Sequence, residues 1–236
     1  MKIIDIRHRD AFDLAVGEVH HHPIIVQLPT VFVLLAAPTS AGAQQLNDAK
    51  MRLTGKNYGT AIGSMERFLH QTDPSRLPEE FSTATQFARM AGSFIRVQFR
   101  SPDFQSTCIR DGTHQGLLLD GFHRELFERI EASFLWTPPD PLWGGHNYSA
   151  PLCTSCNVSG DPEGSIVRLD KALAFGRTRG VRLTITCPET AAQLGSYPIF
   201  GYRKHRVTVH REGPYLEQFK ARIPLRLHAW SSYGVS

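Results

Sequence analysis

The feature that most constrains the fold is an uninterrupted apolar run from Val31 to Ala37. Pro29 lies just before this run and Pro38 follows it directly. Because proline fixes φ and lacks a backbone donor, both ends of the run are defined by the sequence. A short apolar run without polar alternation is typical of a strand that is buried on both faces. The run therefore predicts a central strand in a sheet that is covered on both sides.

Predicted helices and strands alternate around this strand. Helical spacing of apolar residues predicts helices at 10–19, from Thr39 or Ser40 through Arg52, from 120 or 121 to about 134, and at 168–175. Strands are predicted at 24–27, 31–37, 60–62, 93–100, 116–119, 181–185 and 207–209. The apolar stripe of the third helix is Phe122, Leu126, Phe127, Ile130 and Phe134. Gly176 is expected to end the last helix. This order is typical of an α/β or mixed sheet covered by helices.

Length and composition fit one globular domain. The chain has 236 residues, of which 41% are hydrophobic and 20% are charged. No stretch approaches the roughly 20 apolar residues that a membrane helix needs, and the first ten residues do not resemble a secretory signal. Four cysteines in a chain of this size do not predict a disulfide framework. We therefore expect a cytoplasmic protein without a membrane partner.

The formal net charge is +4. A basic chain suits a partner that carries phosphates, either a nucleotide or RNA. Mild basicity is also common among soluble proteins, so charge alone does not decide between these interpretations.

Two segments contain residue types that suit a nucleotide site. In the first, Pro29 and Thr30 lie between two apolar strands, and the following helix ends in Lys50, Met51 and Arg52. A lysine supplies a compact positive charge and an arginine a planar fork, which together can hold a triphosphate or a leaving pyrophosphate. The interpretation without a ligand is a solvated helix end, with Thr30 as an ordinary strand residue.

The second segment, 151–160, reads Pro-Leu-Cys-Thr-Ser-Cys-Asn-Val-Ser-Gly. Ser155, Asn157 and Ser159 lie in a polar loop that ends in glycine, and their hydroxyl and amide groups can bond phosphate or ribose oxygens. Thr30 could place a hydroxyl in the same cleft, which we expect at the carboxyl ends of strands. The alternative for Ser155 and Asn157 is an ordinary turn.

The two segments, in this order, resemble the YrdC-like family, the threonylcarbamoyl-adenylate synthases. That family has Pro-Thr, an apolar strand, a helix and Lys-x-Arg, followed later by Pro-Leu-x-x-Thr-Ser-Ala-Asn-x-Ser-Gly; here Cys156 takes the alanine position. A weaker third likeness is 206–213, which contains Arg-Glu-Gly. The resemblance implies a single-domain α/β fold, a twisted mixed β-sheet flanked by helices. It predicts a YrdC-like domain at 1–213 and a C-terminal extension at 214–236.

The resemblance also implies a nucleotidyltransferase reaction. Family members join bicarbonate to the amine of L-threonine and adenylate the carbamate with ATP, releasing pyrophosphate. The product, threonylcarbamoyl-AMP, is used to modify tRNA to threonylcarbamoyladenosine. By the resemblance, ATP and Mg²⁺ are the expected cofactors, and RNA or a tRNA-modifying protein is an expected partner.

The resemblance assigns roles to six residues. Lys50 and Arg52 are the implied catalytic residues and bind phosphates. The implied nucleotide ligands are completed by Ser155, Asn157 and Ser159. Thr30 is implied at the border of the pocket for the acceptor amine. No protein ligand to a metal is expected.

Several departures from the family pattern affect the acceptor side. Val31 follows Thr30 directly, where family members have two or three further residues, and Leu53 replaces a proline. The family's Arg-x-Pro-x-His segment is replaced by 118–123, so its arginine is absent. The nucleotide side keeps more of the pattern. This leaves open another acceptor amine, and also a non-catalytic nucleotide- or RNA-binding module of the same fold.

Three further features have competing interpretations. Cys153 and Cys156 could be half of a zinc site or a redox pair, or simply small residues beside a loop. The run His20 to His22 could bind a metal, although neighbouring residues rarely face one ion. The basic stretch 203–211 could contact tRNA or phosphates, or be a solvated strand face.

Overall fold

The computed structural model describes residues 1–51, 57–188 and 194–230. Its strands, in chain order, are β1 (Lys2–Asp5), β2 (Ile24–Gln27), β3 (Phe32–Ala36), β4 (Gly59–Ile62), β5 (Ser93–Gln98), β6 (Thr113–Leu118), β7 (Leu152–Ser155), β8 (Leu183–Thr186), β9 (Ile199–Arg203) and β10 (Arg206–Arg211). They form one sheet in the order β1-β8-β2-β3-β7-β4-β6-β5-β9-β10. The sheet is mixed, since β4 and β6 are parallel whereas β3 and β7 are antiparallel.

Helices cover both faces of this sheet, as the sequence predicts. They are α1 (Ala11–Val19), α2 (Ser40–Lys50), α3 (Met65–His70), α4 (Ala84–Phe87), α5 (Gly121–Ser133), α6 (Leu169–Thr178) and α7 (Leu216–Ala221). One hydrophobic cluster includes buried residues of α2, α3, α4, α6 and α7, and we call its side the five-helix face. The other includes those of α1 and α5, on the two-helix face. None of the described helices is both long enough and apolar enough to cross a membrane.

The prediction of a central, doubly buried strand is confirmed by β3. All five of its residues are buried, and it pairs with β2 on one side and β7 on the other. Phe32, Leu34 and Ala36 belong to the five-helix cluster, whereas Val33 and Leu35 belong to the two-helix cluster. Complete burial of a leucine side chain stabilises a fold by about 1.5–3 kcal/mol. The run lacks polar alternation because neither face of β3 meets water.

The predicted start of α2 is also confirmed. Thr39 is the capping residue, and its Oγ1 accepts a hydrogen bond of 3.1 Å from the amide of Gly42. Such a cap typically stabilises a helix by about 1 kcal/mol. The helix ends at Lys50, and Met51 follows in the left-handed region with φ of 48°. Arg52, predicted in the last turn, lies outside the described residues.

The predicted end of α6 is wrong. The helix continues through Gly176 to Thr178. A Cβ on Gly176 would lie 2.8 Å from Ile25 Cδ1, so glycine at this position lets the helix approach β2 closely. The left-handed residue beyond the helix is Gly180, with φ of 71°. Gly176 is therefore needed for close packing and does not end the helix.

The predicted apolar stripe of α5 is wrong at one position. Phe122 is 48% exposed, whereas His123 and Glu131 are buried with the rest of the stripe. His123 Nε2 lies 2.8 Å from the carbonyl oxygen of Gln27. A buried polar group is tolerated when it is hydrogen-bonded, which a hydrophobicity pattern does not register.

Six elements have no counterpart in the sequence predictions: β1, β7, β9, α3, α4 and α7. Each is short, and each depends on its neighbours. The edge strand β1 pairs with β8, and β9 lies between β5 and β10. Phe219 of α7, with Ile223 and Leu227 after it, is buried in the five-helix cluster. The boundary between a domain and an extension at residue 213 remains a prediction.

A buried carboxylate joins α5 to the connection between β4 and α3. Glu131 is 1% exposed. It accepts hydrogen bonds from the amides of Gly63 (2.9 Å) and Ser64 (2.8 Å) and from Arg67 Nε (2.8 Å). Burial raises the pKa of Glu131, while Arg67 and the amides stabilise its charged form.

We predict that Glu131→Gln lowers the free energy of unfolding by about 3 kcal/mol, because it leaves Arg67 without its carboxylate. Urea unfolding measures this change. The matched control is Glu125→Gln on the exposed side of the same helix, where we expect a change within about 0.5 kcal/mol. Equal losses in the two variants would contradict a stabilising role for the Glu131 carboxylate.

Candidate functional site

A cleft of about 380 Å³ opens on the two-helix face of the sheet. Its lining includes Val33 of β3, Cys153 of β7, Gly59 of β4 and Phe94 of β5. A Cβ on Gly59 would lie 2.7 Å from Phe94 Cε1, so this glycine makes room for the phenyl ring. The cleft therefore spans the middle of the sheet.

The position of the cleft along the strands differs from the prediction. The carboxyl end of β7 contributes Ser155, in agreement with it. However, β4 contributes its first residue, Gly59, and β6 its first residue, Thr113. The expectation of a site at the carboxyl ends of the strands is wrong for this parallel pair, because the sheet is mixed and β7 runs antiparallel to β4.

Positive charge dominates the cleft. Its described lining contains four cationic side chains and no aspartate or glutamate; the cations are Lys50, Arg96, Arg110 and Arg211. A recess lined by one sign of charge concentrates ligands of the opposite sign. The cleft is thus suited to an anion.

Lys50 connects the two sequence motifs. It is 1% exposed, and its Nζ donates hydrogen bonds to the carbonyl oxygens of Ser155 and Asn157 (2.8 Å for Asn157) and to Asn157 Oδ1 (3.1 Å). In the other direction, the amide of Ser159 donates to the carbonyl oxygen of Lys50 (2.9 Å). The end of α2 and the loop after β7 are therefore held against each other by a buried cation.

The three predicted nucleotide ligands of this loop all line the cleft. Ser155 Oγ donates a 2.6 Å hydrogen bond to Asn157 Oδ1, and Asn157 Nδ2 donates to the Val158 carbonyl oxygen at 2.9 Å. Ser159 Oγ is buried without a hydrogen-bond partner among the described residues. Unpaired buried hydroxyls are uncommon in folded proteins, so Ser159 Oγ is a candidate ligand group.

Thr30 occupies a different position from the loop residues. It is buried in the turn between β2 and β3, where the amide of Leu28 donates to the Val31 carbonyl oxygen. Its own carbonyl oxygen accepts from the amide of Gly195 at 3.0 Å. Thr30 does not line the cleft, whereas the next residue, Val31, does. A role for Thr30 beside an acceptor amine remains a prediction.

Three arginines also line the cleft: Arg96, Arg110 and Arg211. Of these, Arg211 belongs to the stretch 203–211, for which contact with tRNA or phosphates is one of the two interpretations. Arg211 donates from Nε and Nη2 to the carbonyl oxygen of Tyr197, at 3.0 and 2.7 Å. Arg96 Nε donates to Thr113 Oγ1 at 2.8 Å. In the sequence, Arg96 stands out as a charged residue in the otherwise apolar first part of β5. Arg211 lies in the segment 206–213, the weaker third segment that resembles the family. These bonds hold both guanidinium groups in place before a ligand arrives.

The Cys153 and Cys156 pair does not form a common site. Cys153 belongs to the two-helix cluster and Cys156 to the five-helix cluster. Burial raises the pKa of each thiol to about 12, so both remain protonated at neutral pH. Their three-residue separation along an extended segment directs them to opposite faces. This geometry argues against a zinc or redox pair.

The histidine run likewise gives no metal site. His20 stacks on Phe134 at a centroid distance of 4.1 Å, and its Nε2 lies 3.0 Å from Ser133 Oγ. Within the part of the chain that the structure describes, no three His, Cys, Asp or Glu side chains are grouped to hold a metal ion.

His114 is a further polar residue at the border of the cleft. It is 2% exposed, and its ring stacks on Phe68 at 4.5 Å and meets Phe99 edge to face at 5.5 Å. Neither ring nitrogen has a hydrogen-bond partner among the described residues. Burial lowers the pKa of His114 to about 3, so the imidazole is neutral at pH 7.

Comparison with solved structures identifies the fold. No protein-family model and no curated protein matches the chain by sequence. The structure of Pyrococcus abyssi Sua5 with L-threonine matches with a TM-score of 0.71 and 17% identity, over 97% of this chain and 62% of that one. Escherichia coli YciO matches with a TM-score of 0.60 and 12% identity, over 90% and 93%.

HypF in its phosphate- and nucleotide-bound form is also similar. Its TM-score is 0.59 with 13% identity, over 86% of this chain and 28% of that one. The chain therefore has a YrdC-like fold, which confirms the expected fold class. It spans about 62% of the length of the P. abyssi Sua5 chain.

We predict that Lys50→Met loosens the loop at 155–160, because the carbonyl groups of Ser155 and Asn157 lose their donor. The free energy of unfolding should fall by about 2 kcal/mol, and amide hydrogen exchange in the loop should accelerate. Lys171→Met is the matched control, since Lys171 is exposed and pairs with the exposed Glu163. Unchanged exchange at 155–160 would show that Lys50 does not hold the loop.

We predict that His114 makes the fold sensitive to acid. The pKa of His114 is depressed in the folded state. Between about pH 3 and 6.5 the unfolded chain therefore binds a proton that the folded chain does not, and the free energy of unfolding decreases as the pH is lowered. His114→Phe should therefore reduce the loss of unfolding free energy from about pH 7 to about pH 4.5 by about 2 kcal/mol. Replacing the exposed His205 by glutamine is the control and should keep the wild-type dependence. The same dependence in His114→Phe as in wild type would contradict the prediction.

Proposed function

We propose that the cleft binds ATP and that the chain is an ATP-dependent carbamoyl-adenylate synthase. It would join bicarbonate to the amine of L-threonine, or of another acceptor, and adenylate the carbamate. The observation that carries the proposal is the cleft itself, with four cationic side chains and no carboxylate in its described lining. ATP is a polyanion, and charge complementarity of this kind favours its binding.

The proposed reaction has two steps. The amine nitrogen attacks the carbon of bicarbonate, and loss of water gives the carbamate. A carbamate oxygen then attacks the α-phosphorus of ATP, and the bond to the bridging oxygen breaks to release pyrophosphate. Negative charge grows on this leaving group, so its stabilisation by Lys50 and Arg211 would lower the barrier. By the resemblance, Arg52 would supply a further guanidinium group for the phosphates.

Preorganisation is the main contribution of the protein in this proposal. The Tyr197 carbonyl group orients Arg211, and Thr113 orients Arg96. Groups that are already fixed need no reorganisation as charge develops. Ser155, Asn157 and Ser159 would complete the nucleotide site with hydroxyl and amide groups.

The described cleft residues do not fit a resident Mg²⁺ ion. Mg²⁺ prefers carboxylate and phosphate oxygens, and the described lining supplies no carboxylate. In the proposal Mg²⁺ therefore arrives with ATP, bound to its phosphate oxygens, where it would neutralise part of the phosphate charge.

Proteins of this fold accommodate ligands of both required kinds. One similar structure is Sua5 complexed with L-threonine, and another is HypF in a phosphate- and nucleotide-bound form. These ligands belong to those proteins. They support the proposal that the same fold here places an amine and a nucleotide in one cleft. The product would then pass to an RNA-modifying partner in the cytoplasm.

A second candidate function is a nucleotide- or RNA-binding module without turnover. It is favoured by the hydrogen bonds from Lys50 Nζ to Ser155 and Asn157, because the N–H groups of this lysine already have acceptors other than a phosphate. The departures on the acceptor side favour it as well. Catalytic turnover separates the two candidates, whereas nucleotide binding does not.

The test is release of AMP and pyrophosphate from ATP, Mg²⁺ and bicarbonate with a panel of amines that includes L-threonine. Arg211→Gln should lower amine-dependent release by about 100-fold, through weaker stabilisation of the leaving group. Lys50 is not the residue to replace here, since loss of the loop would imitate loss of chemistry. The control is Arg177→Gln, an exposed arginine of α6 on the five-helix face. If ATP binds but neither AMP nor pyrophosphate is released with any amine of the panel, the enzyme is contradicted and the binding module is favoured.

A further inference from the structure

The positive side chains in and beside the cleft fall into two groups. Lys50 and Arg211 both line the cleft with Cys153, and the positive charge of each favours the thiolate form of this cysteine. We call these two residues the loop pole, because Lys50 holds the loop at 155–159. The second group is Arg96, Arg110, Arg203 and His210, which we call the hairpin pole because β9 and β10 form a hairpin. In the proposed function, Lys50 and Arg211 of the loop pole stabilise the leaving pyrophosphate, whereas Arg203 and His210 have no role.

Strand register places the hairpin pole on one face of the sheet. Arg96 of β5 lies beside Gly201 of β9, and Gly201 lies opposite Thr208 of β10. Arg203 is two residues beyond Gly201 and so projects from the same face. Phe94, two residues before Arg96, lines the cleft on this face. The hairpin pole therefore continues the floor of the cleft toward the edge of the sheet.

Gly201 makes room for one member of the pole. A Cβ at this position would lie 2.3 Å from His210 Nε2 and 2.9 Å from Thr208 Oγ1. Without that Cβ, the imidazole can lie over the strand, where its Nε2 is 3.0 Å from Thr208 Oγ1. The backbone is thus shaped to bring a histidine beside the arginines.

Like charges are gathered in the pole. A carboxylate near them is Asp111, whose Oδ2 lies 3.7 Å from Arg110 Nε and whose side chain is 79% exposed. Burial lowers the pKa of Arg96, as do the nearby charges of Arg110 and Arg203, while Asp111 opposes them. Burial and the charges of Arg96 and Arg203 likewise lower the pKa of His210. Crowding of like charges costs stability, and a bound anion would remove that cost.

We propose that the hairpin pole binds a second anionic group, so that the acceptor amine of this chain carries a phosphate or a second carboxylate. This inference rests on the proposed function, which places ATP at the loop pole. Arginines gathered on one face of the sheet suit a phosphate, because guanidinium groups form paired hydrogen bonds with its oxygens. An acidic side chain offers the same oxygen chemistry with less charge.

Calorimetric titration of the full chain tests the proposal with three probes: O-phospho-L-threonine, L-aspartate and L-threonine. Each is added with and without a saturating non-hydrolysable ATP analogue. We expect the phosphorylated or the dicarboxylic probe to bind at least about tenfold more tightly than L-threonine. The stronger of the two identifies the anionic group.

The variants are Arg203→Gln and His210→Gln, with Arg177→Gln as the control. Arg203 is exposed, so its replacement should not disturb folding. We expect each pole variant to weaken the anionic probe by about tenfold and to leave L-threonine and the ATP analogue within about twofold of wild type. The control should leave all affinities unchanged.

Several results would overturn the proposal. One is equal affinity for the three probes while the ATP analogue binds, which would leave the proposed function standing. Another is a loss of ATP-analogue affinity in the pole variants as large as the loss for the probe, since the pole would then hold nucleotide phosphates. A third is displacement of the probe by a short single-stranded RNA that binds more tightly than the probe. If the probe binds as expected and the ATP analogue does not bind, the pole is supported and the proposed function fails.

Discussion

The rest of the structure depends on the burial of β3 on both faces. Because this strand is apolar throughout, both of its faces require a covering layer, and the chain supplies helices on each side. The coverage is unequal, with five helices contributing to one cluster and two to the other. The cleft opens on the two-helix face, where its lining combines cationic and polar side chains with Val33, Phe94 and Cys153. The asymmetry of the layers thus determines where a ligand can reach the sheet.

Within that cleft, the buried Lys50 ammonium has two consequences. It brings the end of α2 to the loop after β7, although these segments are about a hundred residues apart in the chain, as the 105-residue separation of Lys50 and Ser155 shows. It also leaves a positive charge beside Ser155, Asn157 and Ser159. Hydrogen bonds to neutral oxygen atoms do not cancel the charge of an ammonium group, so an anion nearby is its natural complement. Structural and ligand-binding roles of Lys50 are therefore compatible.

The two poles of the cleft suggest how acceptor choice could change while the fold is kept. Lys50 of the loop pole lies in a segment that resembles the family pattern, whereas Arg96, Arg110 and Arg203 of the hairpin pole lie outside such segments. The departures near Val31 and 118–123 fall on the acceptor side as well. A changed acceptor pocket beside a retained nucleotide site is consistent with both observations.

The sequence by itself determined the elements whose signals are local. The two-faced burial of β3, the Thr39 cap and the loop containing Ser155 and Asn157 all follow from residue order. Tertiary structure alone decided the rest. Gly176 packs against Ile25 inside α6, Glu131 is buried because Arg67 and two amides meet it, and Arg96 joins Arg203 because β5 pairs with β9. Each of these depends on contacts between segments far apart in the chain, and neither periodicity nor propensity records which distant segments will meet.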